Sequence, residues 1–230
     1  MTSGITAKRL MQLDRLSYVD MIALLDQKDG HVVKDDDDGI IVALGDQMCS
    51  VARFCPIQDM ASIISGRWPL VCVHDEELRR YLIEDGGYSN EEGCWSYSWW
   101  KSSIEVPECD FRVLDSSHFD AIMSSYNLAD EEDIRRHLEN GDIIGAYVDG
   151  QLAGYVGFHS EGSMGMLHVF EEYRRHGLGE ALERADIRRA LERGTVPYCH
   201  VFFSNQASQR LQEKIGLEKG ERPVWWLWKD

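Results

Sequence analysis

The sequence predicts a protein of the α/β (α+β) class, built as two successive halves in which strands and helices follow a similar order. Two apolar hairpins support this prediction. One runs from Ile40 to Phe54 around Gly45-Asp46, and the other from Ile143 to His159 around Asp149-Gly150, a favoured hairpin turn. Helical spacing of apolar residues before and after each hairpin supplies the α component.

Apolar spacing and turn residues delimit the elements of the first half. They are one or two helices within 8–26, helices over 57–65 and 76–84, and strands over 40–44, 47–54, 70–73 and 94–100. The acidic run from Asp35 to Asp38 is interpreted as a solvated loop. It lacks the alternating spacing of a calcium-binding loop, so no metal site is predicted there.

Val106-Pro107-Glu108 is interpreted as a linker, after which the order begins again. The second half is predicted to contain strands over 111–114, 143–148, 152–159, 164–170, 198–203 and 224–228, and helices over 116–125, 131–139, 178–193 and 206–215. The predicted domains are therefore 1–106 and 107–230.

The two halves resemble each other as copies would, although two hairpins of this class can also be similar by chance. Residues 39–54 echo residues 142–158, and Pro69-Leu-Val-Cys-Val echoes Pro197-Tyr-Cys-His-Val. The first half has only a short segment between its hairpin and the proline-led strand. It also contains no Arg-x-x-Gly-x-Gly, so we predict that it is degenerate and has no ligand site.

The stretch from Glu171 to Gly179, Glu-Glu-Tyr-Arg-Arg-His-Gly-Leu-Gly, joins a predicted strand to a predicted helix. A helix start leaves backbone N–H groups unpaired at the positive end of the helix dipole, which favours an anion such as pyrophosphate. Gly177 and Gly179 remove the Cβ atoms that would hold a phosphate away, and Arg174 and Arg175 add positive charge. The alternative interpretation is a tight turn without a ligand.

Whole-chain properties exclude several classes of protein. No apolar run is long enough to span a membrane, and the N-terminus lacks an apolar signal core, so we expect a cytoplasmic protein. The six cysteines show no Cys-x-x-Cys pair and no histidines at metal spacing, which predicts buried thiols with neither disulfides nor metal. A net charge of −16 argues against nucleic-acid binding.

Arg174-x-x-Gly177-x-Gly179 after the fourth strand of the second half resembles the acetyl-CoA loop of the GNAT superfamily of N-acetyltransferases. Asn205-x-x-Ser208-x-x-Leu211-x-x-Lys214-x-Gly216 resembles that superfamily's motif after the fifth strand. The segments 172–178 and 197–201 are similar to glycine N-acyltransferase-like proteins, which pair a degenerate N-terminal half with an active C-terminal half. The resemblance implies two tandem GNAT-like domains, each a mixed, mostly antiparallel sheet flanked by helices.

The resemblance further implies an N-acyltransferase that uses acetyl-CoA or another acyl-CoA as co-substrate. Its acceptor would be a small-molecule amine. We expect no metal, no nucleic acid and no membrane as partners, and the protein is either a monomer or a homodimer. The residues that the resemblance places on the co-substrate are Val169, Phe170, Arg174, Arg175, His176, Gly177, Leu178, Gly179, Asn205 and Ser208. In such folds the fourth strand bulges and frees a backbone N–H for the oxyanion, here around His168 to Phe170.

Four residues come into consideration for the catalytic base. The family's base position is held by Ser163, which cannot take a proton alone; Glu161 lies on the same face if the strand extends that far, and is otherwise a loop carboxylate. His168 has the opposite parity and is otherwise a packed strand histidine, while His159 is a further candidate. The acid stays unassigned, because Gln212 replaces the usual tyrosine and nothing aims Tyr173 or Tyr198 at the sulfur.

Three alternatives stay open. Asn205 is either a helix N-cap or, with Ser208, a co-substrate contact. The aromatic strand around Trp225, Trp226 and Trp228 is interpreted as core rather than as a substrate cage. The chain could also be a non-catalytic acyl-CoA-binding or interaction module, which Ser163 and Gln212 favour. A nucleotide site is less favoured, because no Gly-x-x-x-x-Gly-Lys-Ser/Thr is present.

Overall fold

The computed structural model describes residues 2–126 and 129–229. Its helices are α1 Thr2–Asp14, α2 Val19–Leu24, α3 Ile57–Ile64, α4 Glu76–Glu84, α5 Phe119–Met123, α6 Glu131–Glu139, α7 Leu178–Glu192 and α8 Gln206–Ile215. Its strands are β1 Gly30–Asp36, β2 Gly39–Leu44, β3 Met48–Arg53, β4 Leu70–Val73, β5 Asn90–Ser98, β6 Asp110–Val113, β7 Ile143–Val148, β8 Gln151–Phe158, β9 Met164–Val169, β10 Tyr198–Phe202 and β11 Glu218–Trp228. Short 3₁₀ helices cover Ser116–His118 and Glu171–Tyr173.

The strands form two sheets. The first has seven strands in the order β1-β2-β3-β4-β11-β5-β10, and the second has four in the order β6-β7-β8-β9. The four-stranded sheet is antiparallel throughout, whereas the first sheet contains one parallel pair, β3 with β4. The prediction of a mixed α/β fold with sheets flanked by helices is confirmed.

The chain divides into two compact units that do not coincide with the predicted domains 1–106 and 107–230. The first unit is Met1–Ser98 with Tyr198–Asp230, and the second is Trp99–Pro197. The cause is strand pairing: β11 lies between β4 and β5, and β10 pairs with β5, so the last strands complete the first sheet. Whether the two halves are copies stays a prediction.

The first unit has its main core between the sheet and helices α3 and α4. Apolar side chains of β2, β3 and β4 pack there against Met60, Ile64, Leu78 and Leu82, all fully buried. Both helices present a strongly amphipathic face, and α4 begins at Asp75, whose carboxylate accepts the Leu78 N–H. Such an N-cap satisfies one of the free donors of the first turn.

The second unit packs helices on both faces of its four-stranded sheet. On one face, α5 and α6 cover residues that include Tyr155 and Met166; on the other, α7 packs through Leu182 and Ala185 against Val156. The alternation of strand side chains sends neighbouring residues of β8 and β9 to opposite faces. His168 therefore lies on the face of α5 and α6, and Val169 on the face of α7.

Several predicted boundaries differ from the structure. Asp35 and Asp36 belong to strand β1, not to a loop, because they pair with Ile40 and Gly39 of β2. The predicted helix over 116–125 is a 3₁₀ turn followed by the short α5, started by Asp115, whose carboxylate accepts the Ser117 N–H. Strand β11 begins six residues before its predicted start at 224.

All six cysteines are free thiols, and five of them are buried. No helix among residues 2–126 and 129–229 is long and apolar enough to cross a membrane.

Candidate functional site

The predicted anion cradle lies at the end of β9, which is the last strand of the four-stranded sheet. One edge of β9 pairs with β8, with Gly154 opposite Val169 and Tyr155 opposite His168. Within the second unit the other edge carries no strand among the described residues. An edge strand presents backbone N–H and C=O groups that can bind a ligand instead of a neighbouring strand.

A β-bulge interrupts β9, two residues before the position that the resemblance implied. Between the pairs Gly157–Gly165 and Tyr155–His168, the two residues Met166 and Leu167 face one residue of β8, and Met166 has φ +55°. A bulge of this kind re-aims the strand and releases it from its regular pairing. Within the range where the resemblance implied the bulge, the Phe170 N–H donates to the Ala153 carbonyl at 3.0 Å, so the Phe170 amide is not free.

The Val169 amide is the donor that the open edge offers. Successive N–H groups of a strand point to opposite edges, and the Phe170 N–H points to β8. The Val169 N–H therefore points away from β8. The predicted range for the freed amide, His168 to Phe170, includes this residue.

The turn that follows β9 leads the chain into α7 through two residues with positive φ. Arg175 has φ +65° and Gly177, the N-cap of α7, has φ +84°. Gly177 adopts this left-handed conformation at low cost, whereas Arg175 is strained in it. No side chain of the described residues caps α7, and the first helical bond is made by the Ala181 N–H to the Gly177 carbonyl at 3.1 Å.

The space in front of the α7 N-terminus is open. A Cβ at Gly177 would have no described atom within 4 Å, and a Cβ at Gly179 would meet only Val169 Cγ2 at 3.8 Å. The N–H groups of Leu178 and Gly179 belong to the first turn, where a helix has no internal acceptor for them. Uncapped donors, the positive end of a long helix and an open approach are the features of an anion site.

The basic side chains of the turn are exposed. Arg174 Nε donates to the Val169 carbonyl at 2.9 Å, which ties the turn to the end of β9 and leaves the outer guanidinium nitrogens for a ligand. His176 Nδ1 lies 3.4 Å from the Tyr173 carbonyl. The structure thus brings Val169, Arg174 and the glycine turn together.

His168 lies on an aromatic surface of β8 and β9. Its ring stacks on Tyr155 with centroids 5.6 Å apart, and Phe170 meets it edge-on at 5.1 Å. Tyr155 is fixed in turn by a 2.8 Å hydrogen bond with Ser125. Burial, together with the charge of Arg174, holds the pKa of His168 below its ordinary value of 6.5. The imidazole is therefore neutral at neutral pH and able to accept a proton.

Glu161 and Ser163 lie at the turn between β8 and β9, at the opposite end of β9 from the cradle. Ser163 precedes Val169 by six residues, which is roughly 20 Å along an extended strand. The buried Ser163 Oγ donates to Glu161 Oε1 at 2.5 Å, so the two candidates contact each other. His159 is beside them, with Nε2 3.5 Å from the Tyr126 hydroxyl.

Asn205, Ser208 and Gln212 belong to α8, in the first unit. The Asn205 side chain accepts the Ser208 N–H at 3.1 Å, so the predicted N-cap is confirmed; a contact with the co-substrate stays a prediction. Gln212 is buried. Trp225 packs against the core of the first unit, as predicted, and Trp226 Nε1 donates to His200 Nδ1 at 3.0 Å. The prediction of a core position is wrong for Trp228, which is exposed at the end of β11.

Sequence reasoning missed Tyr155 and Ser125. Tyr155 was counted only as part of a strand, and its place beside His168 follows from the β8–β9 register. Ser125 lies thirty residues away in sequence from its partner. No local pattern marks such a pair, because the tertiary packing of α5 on the sheet alone brings it together.

Comparison with known proteins identifies the fold. Residues 104–217, slightly less than half of the chain and including the whole cradle, match the acetyltransferase (GNAT) family, whose members use acetyl-CoA as co-substrate. No curated protein sequence matches the chain. A Drosophila protein of known crystal structure has a TM-score of 0.69 at 14% identity, with 96% of each chain covered.

Two bacterial structures with acetyltransferase descriptions show the same likeness. A GCN5-related N-acetyltransferase from Kribbella flavida has a TM-score of 0.57 at 14% identity, with 94% of each chain covered. A GCN5-related N-acetyltransferase-like protein from Streptococcus suis has a TM-score of 0.54 at 18% identity, covering 97% of this chain and 99% of the other. The chain therefore has a GNAT-type fold.

Proposed function

We propose that this protein is an acyl-CoA-dependent N-acyltransferase that moves an acetyl or other acyl group from the CoA thioester to a small-molecule amine by direct attack. The observation that carries the proposal is the uncapped start of α7 at Gly177, next to the open edge of β9. The match of residues 104–217 to the GNAT acetyltransferase family supports it.

The cradle fits a pyrophosphate. The first-turn amides of α7, among them Leu178 and Gly179, would donate to the phosphate oxygens. The open space at Gly177 leaves room for the phosphate groups. Arg174 would add charge-assisted hydrogen bonds from its outer nitrogens, as its Nε is already bound to β9. Arg175 adds a second positive charge beside the cradle on a chain of net charge −16.

Acetyl-CoA, when bound, supplies a thioester carbonyl that an amine can attack. The tetrahedral oxyanion that forms needs a preorganised donor, and such a donor contributes about 3 kcal/mol to transition-state stabilisation. We assign this role to the Val169 N–H, which points away from β8 beside the bulge of β9.

We assign His168 as the general base. The attacking nitrogen must lose a proton, and a neutral imidazole close to the end of β9 can accept it. The pKa of His168, lowered by burial and by Arg174, keeps the ring unprotonated at neutral pH. Glu161 and Ser163 are the less favoured candidates, because they lie at the far end of β9. The leaving thiolate would take its proton from solvent.

The acceptor is proposed at the level of a class. The similarity of residues 172–178 and 197–201 to glycine N-acyltransferase-like proteins favours a small amine such as an amino acid. It also favours a degenerate first half and an active second half. In this proposal neither a metal nor a nucleic acid takes part in the reaction.

Calorimetric titration with acetyl-CoA, followed by a thiol-release assay over a panel of small amines, tests the proposal. We expect saturable binding of acetyl-CoA and release of free CoA thiol that depends on one group of amines. Absence of acetyl-CoA binding would overturn the assignment of the cradle.

A second candidate function is a non-catalytic acyl-CoA-binding module. It is favoured by the sequence of β9, Met-Gly-Met-Leu-His-Val, which carries no carboxylate close to the cradle. This second function would be established instead of the first if acetyl-CoA bound tightly but no amine caused thiol release, either from acetyl-CoA or from acyl-CoA with a longer chain.

A further inference from the structure

A buried polar cluster in the first unit takes no part in the proposed reaction. Asp20 of α2, Ser50 of β3, Cys72 of β4 and His74, which directly follows β4, are each at most 8% exposed. Burying ionisable groups costs free energy unless each is paired or binds a metal, so such a cluster requires a physical explanation.

The fold assembles the cluster from three separate elements. Strands β3 and β4 are parallel, and Ser50 lies opposite Cys72 in their register. His74 is two residues beyond Cys72 and so shares its face of the sheet. Helix α2 is buried along its whole length and places Asp20 over that face.

The donor atoms converge to within bonding reach of one ion. Asp20 Oδ1 lies 3.1 Å from His74 Nε2, and one donor atom each from Asp20, Cys72 and His74 fall within 4.8 Å of one another. Ligand atoms around a tetrahedral zinc ion, at the usual bond lengths, are about 3.3–3.8 Å apart. The observed spacing is that of a site which could close on an ion by small side-chain movements.

The hydrogen bonds select which atoms would bind. Ser50 Oγ donates to Asp20 Oδ2 at 2.5 Å and lies 3.2 Å from His74 Nε2. Apart from its 3.1 Å contact with His74 Nε2, the buried Asp20 Oδ1 has no hydrogen-bond partner among the described residues. An orienting hydrogen bond on one carboxylate oxygen, with the other oxygen left for the ion, is the usual arrangement around a protein-bound metal.

We propose that Asp20 Oδ1, Cys72 Sγ and His74 Nε2 form a zinc-binding site, with Ser50 holding the carboxylate from the second coordination sphere. One sulfur, one nitrogen and one oxygen donor suit Zn²⁺ better than Mg²⁺ or Ca²⁺, which prefer oxygen alone. The thiolate and the carboxylate neutralise the two charges of the ion. A water molecule would complete the tetrahedron.

The site is structural in character. All four side chains are buried, so the ion would enter as the first unit folds, and it would link α2 to β4. The proposal is independent of the acyltransfer reaction, because the cradle residues belong to the second unit.

Metal analysis of the full-length protein tests the site. The chain is unfolded in chelator, refolded with excess Zn²⁺, freed of unbound ion and analysed by plasma mass spectrometry. We expect about one zinc ion per chain, and at least a tenfold weaker affinity in Cys72→Ala and in His74→Gln. Cys49→Ala is the matched control, because Cys49 is an equally buried thiol of β3 that belongs to the apolar core instead.

The proposal would be overturned if the wild-type protein contained no zinc after this procedure, or if Cys72→Ala bound zinc as the wild type does. The cluster would then be an Asp20–His74 hydrogen-bonded pair without a metal. Cobalt provides a test that needs no variant to fold. Wild-type protein refolded with Co²⁺ should show a thiolate-to-cobalt charge-transfer band, and a cobalt spectrum without that band would refute ligation by Cys72.

Discussion

Strands β3 and β9 each end an antiparallel hairpin and lead into a helix, yet only β9 has a free edge in its unit. β3 is flanked by β2 on one side and by β4 on the other, with Met48 opposite Leu70 and Val51 opposite Val73. β9 is paired with β8 alone within its four-stranded sheet. The strand that could bind a ligand in the first unit is thus occupied by a neighbouring strand.

The turns after the two strands differ as well, in conformation and in the exposure of their arginine. After β3 the chain passes through Pro56 into α3, and the Arg53 guanidinium is held by Asp75 at 2.7 Å and by Glu77 at 2.9 Å. After β9 it passes through Gly177 into α7, and Arg174 is exposed. After β3 the first unit therefore has a closed strand edge, a proline turn and an arginine paired with carboxylates, where the second unit has an open edge, a glycine turn and an exposed arginine.

The largest expected effect is the loss of kcat when the proposed base on the open strand β9 is removed. Replacing His168 by glutamine removes the proposed base, and loss of general-base catalysis typically lowers kcat by about 10²–10⁴-fold. CoA affinity should stay near wild type, because the cradle is unchanged. Glu161→Gln at the far end of β9 is the comparison; a large loss of kcat there instead would move the base to that end.

The pH dependence of the reaction reports the same group. Burial and the charge of Arg174 lower the pKa of His168, so its neutral form persists to a pH below 6.5. We expect kcat/KM to fall on the acid side with an apparent pKa below 6.5, and this limb to be absent in the residual activity of His168→Gln. A limb that survives unchanged in the variant would assign it to the amine substrate.

The glycine turn should give the next largest effect. Gly177→Val fills the open approach to the α7 amides, and loss of about 2–3 kcal/mol of charge-assisted hydrogen bonds would weaken CoA roughly 30- to 150-fold. Gly194→Val is the matched control. Gly194, after the other end of α7, also has positive φ, and a Cβ added there would have no described atom within 4 Å.

Equal CoA affinity for Gly177→Val and wild type in a calorimetric titration would refute the phosphate assignment. Similar losses in both glycine variants would attribute the effect to backbone strain, since the two substitutions impose comparable conformations.

The two strand-end arginines separate binding from stability. Arg174→Ala should weaken CoA by about 1.5–3 kcal/mol if its outer nitrogens contact phosphate. Arg53→Ala should leave CoA affinity unchanged and lower the melting temperature, because it removes the partner of Asp75 and Glu77. Affinity and melting measurements on both variants decide between these roles, and an unchanged affinity for Arg174→Ala would make Arg174 a surface residue.

The helices that follow the two strands also differ, and this should give the smallest effect. α3 buries only apolar side chains, whereas α7 buries Asp186. Arg189 lies 2.9 Å from Asp186 Oδ1 but also donates to two backbone carbonyls, and burial prevails, raising the pKa of Asp186 to about 8.

A folded-state pKa above the ordinary value of 3.8 means that Asp186 destabilises the fold increasingly as the pH rises from 3.8 to about 8. Asp186→Asn should remove this dependence, so that the melting temperature of the variant rises steadily relative to that of the wild type as the pH increases from 5 to 8. A melting difference that does not change with pH would indicate that the carboxylate is ionised beside Arg189 throughout.

Much of the local structure could be predicted from the sequence, because short-range rules decide it. The bounds of α4 and α6 follow from apolar spacing and from the capping aspartates Asp75 and Asp130. The β7–β8 hairpin follows from Asp149-Gly150. The left-handed N-cap at Gly177 likewise follows from a glycine at the point where strand periodicity changes to helical periodicity.

Long-range pairing was not predictable in this way. β1 was missed because its Asp35 and Asp36 are acidic, and they become a strand only by pairing with β2. The compact units do not follow the predicted division at 106/107, because β11 inserts between β4 and β5, which no local pattern encodes. The position of the bulge at Met166 depends in the same way on the register with β8.

The sequence by itself determined the helix that begins at a glycine, the basic turn before it and the resemblance to an acetyl-CoA loop. Each of these depends on residues within a few positions of one another, and backbone geometry acts at that range. Only the tertiary structure decided that β9 keeps a free edge within its sheet, that His168 stacks on Tyr155, and that Asp20, Cys72 and His74 converge. Those arrangements join residues far apart in the chain, and strand register and helix packing fix them.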